Sequence, residues 1–147
     1  MSIRRRAREI ALHVLYQLEM GQEDPREALA LTFQHFRPQV KSQEFCRRLV
    51  EGVWGHREQI DRLIEENSEH WKLARMASVD RNLLRIATFE LSNCPDIPFK
   101  ATLNEAIELA KKFGSEDSGA FINGILDKIH SLSGVATSSR PEQGVPQ

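Results

Sequence analysis

The chain has 147 residues, 40% of them hydrophobic and 28% charged, and its formal net charge is −1. That balance suits one soluble globular domain, or two small subdomains sharing a core, and excludes a global electrostatic pull toward nucleic acid. No apolar run approaches the ~20 residues that cross a bilayer, and Glu9, His13, Gln17 and Glu19 interrupt the N-terminal segment where a signal peptide needs an unbroken apolar core; the expectation is a cytoplasmic protein with no membrane partner.

The pattern is helical throughout. Four arginines, Arg4, Arg5, Arg6 and Arg8, open the first helix. Ile3, Ala7, Ile10, Ala11, Val14, Leu15 and Leu18 recur at helix spacing and fill one arc, and Gly21 stops the helix. Leu12 and Tyr16 form a second apolar side, to be covered by the protein's own interior, a second copy in a homodimer, or a partner. Asp24 caps and Pro25 opens a second helix to about Phe36, and Pro38 closes it. Ser42 caps a third helix bearing Phe45, Leu49 and Val53, which ends at Gly55. A fourth runs from His56 to about Asn67, followed by a short apolar connector with Trp71, Leu73 and Met76.

The strongest helix spans Ser78 to about Asn93. Its apolar residues cover most of the wheel and leave only a sector with Arg81, Asn82, Arg85 and Thr88 polar, the signature of a mostly buried central helix. Ala101 to Phe113 forms a sixth helix, stopped by Gly114. Ser115 opens a seventh, with Glu116 and Asp117 favourably placed on its dipole. From Gly134 the chain is too polar to order itself, so residues 134–147 read as a disordered tail. The expected fold is all-α: about seven helices in one domain, 1–133, built of two small packed bundles at about 1–56 and 57–133.

No catalytic constellation emerges, so no enzyme activity, cofactor or metal site is expected. The histidines His13, His35, His56, His70 and His130 are scattered, and Cys46 and Cys94 read as buried free thiols. Asn104, Glu105 and Glu108 with Lys111 and Lys112 read as a solvated face with local ion pairs. The arginine cluster is different. Arginine near a helix N-terminus opposes the macrodipole, so four there point to anion binding, with planar bidentate contacts to phosphate. The Phe113–Phe121 junction is the second unusual region: two phenylalanines flank a small polar turn. Phe121, at the edge of its helix's apolar arc, reads first as core packing, with an aromatic platform for an unpaired base as the functional alternative, and the Asp117 carboxylate can accept from base amino groups.

Arg4-Arg5-Arg6-Ala7-Arg8-Glu9 followed by Leu15-Tyr16, then Leu84-Arg85-Ile86-Ala87 and Glu90-Leu91, resembles the NusB family of bacterial antitermination factors. The match is densest at Asn104-Glu105-Ala106-Ile107-Glu108-Leu109-Ala110-Lys111, Phe113-Gly114, Glu116-Asp117-Ser118, Phe121, Asn123-Gly124 and Leu126-Asp127-Lys128. The resemblance spans roughly residues 3 to 130, and from about 20 to 75 it is one of helix pattern alone. It implies a noncatalytic factor that binds box A RNA in nascent transcripts, notably of ribosomal RNA operons. It also implies a small-subunit ribosomal protein, NusE, as partner, within an RNA polymerase antitermination complex. Carried over by matching position, the RNA-binding residues are Arg4, Arg5, Arg6, Arg8, Asp117 and Phe121, with Tyr16, Arg85, Lys112 and Phe113 as further candidates. The partner contact falls on Asp80, one methylene shorter than the family's glutamate. Gly119 and Ala120 stand where longer polar side chains are expected, removing auxiliary RNA contacts. Two rivals stand beside this reading. One is a helical module related to the N-terminal domain of RNA cytosine methyltransferases; no cofactor-binding α/β region accompanies it in the sequence, so a stand-alone factor is expected. The other is an interaction protein whose arginines form a subunit interface.

Overall fold

The arginine-rich segment does form a helix, α1 (Ile3–Glu19), and it starts at Ser2, whose Oγ accepts the Arg5 N–H at 3.0 Å. The structure is a computed structural model and describes residues 2–21, 24–69 and 71–137. Gly21, at φ +111°, turns the chain out of α1 in a conformation that favours glycine. Asp24 accepts the Arg26 N–H and Pro25 takes the first position of α2 (Pro25–Phe36), which ends on a left-handed Arg37. Next come α3 (Val40–Gly55), α4 (Arg57–Glu66) and one turn of 3-10 helix at Leu73–Arg75. The chain continues through α5 (Ser78–Asn93), α6 (Phe99–Phe113) and α7 (Ser118–Thr137). No strand occurs among the described residues, so the all-α expectation holds.

Among the described residues the helices pack on one continuous apolar core. α5 is the shared element, packing on α1, α3, α4, α6 and α7. Its contact with α3 is close because of Gly52. A methyl group there would lie 2.2 Å from Cζ of Phe89, so only the bare backbone lets the ring in. The apolar arc of α1 is buried as its spacing predicts, with Ala7, Ile10, Ala11, Val14 and Leu15 fully enclosed.

Several local expectations are corrected. Ser42 is not a cap: it lies in the first turn of α3, where its buried hydroxyl donates to the Ile3 carbonyl at 3.0 Å and ties α3 to α1. The connector keeps Leu73 and Met76 inside but leaves Trp71 52% exposed. α5 is mostly buried, as expected, and even in its polar sector Asn82, Arg85 and Thr88 are buried, because α1 and α4 lie over that side and supply partners to the first two. α7 begins at Ser118 rather than Ser115, because the Ser118 Oγ takes the Ser115 N–H at 2.9 Å and holds residues 115–117 as a turn. It continues to Thr137, past the expected tail boundary at Gly134, and the remaining tail, like His70, lies outside the described residues. Cys46 and Cys94 are buried free thiols, and burial pushes Cys46 up to about 12.

Candidate nucleic-acid interface

Helical spacing sorts the four arginines by depth. Arg4, Arg5 and Arg6 keep solvent-facing surface, whereas Arg8, four residues after Arg4 and one turn deeper against α5, is 4% exposed. Its Nε and Nη2 each donate at 2.7 Å to the carboxylate of Glu90, itself 1% exposed, which also accepts from Thr102 Oγ1 at 2.9 Å. The sequence groups Arg8 with the surface cations; the structure makes it a buried anchor between α1, α5 and α6.

Each remaining arginine also meets a carboxylate from elsewhere in the chain or one turn on. Arg4 pairs with Asp96 at 3.3 Å, and Arg5 forms a two-point fork with Glu105, 2.8 Å on each arm. Hydrogen bonding to Glu105 holds Arg5 protonated well above its ordinary range, and the same bonds hold the Glu105 carboxyl below its own. Glu9, buried on α1, bridges Lys112 at 2.8 Å and Arg6 at 3.6 Å. Glu105 and Lys112 are therefore not the locally paired, solvated face that spacing suggests; of that set only Lys111–Glu108, 3.4 Å, is local. These long-range side-chain pairs tie the arginine helix to α6.

The arginine helix is thus joined to the start of the second region, through the Glu9–Lys112 and His13–Phe113 contacts. Phe113 ends α6, and Phe121 lies in the first turn of α7, at the same end of the helical hairpin. Phe121 is half-buried and packs against the core, while Asp117 is exposed and its carbonyl accepts the Phe121 N–H at 3.1 Å. Gly119 and Ala120 leave room behind the turn for an open cleft of about 480 Å³, also lined by Ile107, Lys111 and Asn123. Tyr16 is 50% exposed on α1, while its neighbour Leu12 is covered from within. Two aromatic residues that sequence reasoning missed, His13 and Phe36, sit between the arginines and Phe113. The i, i+7 spacing of Arg6 and His13 on α1 is the signal that would have placed His13 on the arginine face.

Arg85 and Asp80 lie elsewhere, on α5. Arg85 is buried, its guanidinium forked onto Asp61 at 2.8 and 3.0 Å and bonded to Glu19 at 2.7 Å, so it braces α1 and α4 from inside. Asp80, in the first turn of α5, is 9% exposed, and its Oδ1 is buried without a hydrogen-bond donor among the described residues. No cluster of potential metal ligands and no helix long and apolar enough to cross a membrane is present among those residues.

A model of the NusB family matches residues 5–131. The chain belongs to the NusB family. A transcription antitermination protein NusB of Syntrophus aciditrophicus is 52% identical over 130 residues, 88% of this chain and 81% of that protein. The solved structure of T. maritima NusB, 42% identical, superposes with a TM-score of 0.81 over 87% of this chain and 90% of that one. A second NusB-family structure, the antitermination factors NusB and NusE in complex with dsRNA, matches at 28% identity with a TM-score of 0.82, covering 90% and 98% of the two chains.

Proposed function

We propose that this NusB-family chain is a noncatalytic transcription antitermination factor of the cytoplasm. It binds box A RNA in nascent transcripts, notably of ribosomal RNA operons, together with the small-subunit ribosomal protein NusE, and helps RNA polymerase read through terminators. The observation that carries the reading is the joining of two recognition elements. The Arg5–Glu105 and Glu9–Lys112 pairs bring a helix of arginines alongside an aromatic junction. Arg4, Arg5, Arg6 and Lys112 supply salt-dependent phosphate affinity; Phe113, Phe121 and Asp117 address unpaired bases. Arg8 supports that surface from beneath through Glu90, and Arg85 braces the far end of α1 through Glu19 and Asp61. The assembly of a NusB relative with NusE and dsRNA favours the same pairing of partners. Asp80 favours a protein contact at the start of α5, because a buried carboxylate oxygen without a donor gains from a partner that brings one.

A gel shift with box A RNA and a scrambled control, with and without NusE, tests the reading. Tighter binding to box A is expected, and NusE is expected to strengthen it; by linkage the RNA tightens the protein pair by the same factor. Equal binding to both RNAs overturns sequence-specific recognition.

A further inference from the structure

Between the arginines of α1 and the α6–α7 junction runs an unbroken row of rings. The Arg6 guanidinium lies over the Phe36 ring at 5.2 Å. Phe36 meets His13 with centroids 5.1 Å apart, and His13 and Phe113 meet in a T-shaped contact with centroids 6.0 Å apart. The Lys112 ammonium lies 5.3 Å from the Phe113 centroid and closes the row at its far end. Three helices contribute: α1 gives Arg6 and His13, α2 gives Phe36, and α6 gives Lys112 and Phe113. A row of π-faces with a cation at each end is the composition that holds single-stranded nucleic acid, with bases stacking on rings and phosphates on cations.

We infer that His13, seated between Phe36 and Phe113, is a second base-stacking position for single-stranded RNA, separate from Phe121, so that the strand crosses from the arginine helix to the junction over this row. The inference rests on the RNA-binding reading above. Its occupant is an unpaired nucleotide, because the row is continuous with the arginine surface and carries cations at both ends. His13 keeps solvent-exposed surface although its ring touches Phe36 and Phe113. Its surroundings also favour the neutral imidazole. Burial among the rings, with Arg6 and His35 beside it, lowers its pKa from 6.5 against the opposing pull of Glu9. The ring therefore offers a stacking face rather than a further positive charge.

The test uses the full chain and a fluorescently labelled box A RNA, titrated by anisotropy. His13→Ala is expected to weaken binding about tenfold, within the range of losing one base–aromatic stack, with its thermal midpoint unchanged. His13→Phe, which keeps a ring, is expected to stay within about twofold of the parent. Box A RNAs carrying 2-aminopurine at successive positions give a second readout: one quenched position is relieved by His13→Ala and a different one by Phe121→Ala. Wild-type affinity in His13→Ala, no rescue by His13→Phe, or relief of the same position by both alanine variants overturns the inference. Loss of NusE binding with RNA binding intact reassigns the row to a protein and overturns it as well. Arg5→Ala is run beside them. If neither it nor Phe121→Ala weakens RNA binding, the RNA-binding reading itself fails; if they do and His13→Ala does not, only the inference fails.

Discussion

At the scale of single residues, the exposed arginines differ from a bare basic patch in one respect: carboxylates already occupy them. Glu105 holds Arg5 by the same two-point fork that a guanidinium presents to phosphate. A phosphate must therefore displace a carboxylate, which weakens binding to any RNA that cannot also engage the rings. Glu105→Gln removes the competing charge while keeping the side chain's length. Tighter binding is expected for both box A and scrambled RNA, with the larger gain for the scrambled one, in anisotropy titrations at fixed salt. Weaker binding would instead make Glu105 the residue that orients Arg5. The arginines themselves were legible in the sequence, because four cations in five residues stand out on a neutral chain. Their partners were not: Asp96, Glu105 and Glu90 lie some ninety residues away or more for Arg4 and Arg5 and eighty-two for Arg8, and no periodicity links such distances. Carboxylates from α6 and the α5–α6 linker also offset the positive charge that opposes the macrodipole in the first turn of α1.

At the scale of helices, spacing located every element, and α5 within the residues expected of it, because long apolar periodicity is a strong signal. It left open what meets the polar side of α5, since a wheel cannot tell water from a neighbouring charged side chain. That side is where α1 and α5 are locked. Glu19, at the end of α1, accepts from Ser78 at 3.0 Å, from Arg81 at 2.5 and 3.0 Å, from Asn82 at 3.1 Å and from Arg85 at 2.7 Å. Burial opposes its ionisation, but the hydrogen bonds from Arg81, Ser78 and Asn82 outweigh that and hold its carboxyl at about 2, against an ordinary 4.5. A carboxyl depressed in the folded state binds protons less readily than in the unfolded one. Its contribution to stability is therefore complete above 4.5 and is lost as pH falls toward 2. Urea unfolding of the parent and of Glu19→Gln is expected to show a wide gap in midpoint near neutral pH. The gap should narrow through the acid range. A gap that stays constant with pH would mean that the network stabilises by packing rather than by charge.

Across the whole molecule, α1 is fastened to α5 twice, by Glu19 at one end and by Arg8–Glu90 toward the other. The proposed RNA surface on α1 and the proposed protein contact at the start of α5 thus sit on one braced unit. The Arg8 anchor tests this division between scaffold and contact surface. Arg8→Ala leaves the Glu90 carboxylate buried without its cation, and Thr102 cannot replace a two-point fork. Breaking a buried pair from one side typically destabilises by about 3–5 kcal/mol, and a loss of that order is expected from urea unfolding. Replacing both partners, as Arg8→Met with Glu90→Leu, removes the orphaned charge and is expected to restore much of the loss. Arg5→Ala is expected to do the reverse: stability stays near the parent's, while RNA binding weakens and its salt dependence becomes shallower by roughly one phosphate contact. If Arg8→Ala instead keeps its stability and loses RNA binding with a shallower salt slope, the guanidinium leaves Glu90 to meet the strand. Arg8 would then belong with Arg4, Arg5 and Arg6 after all.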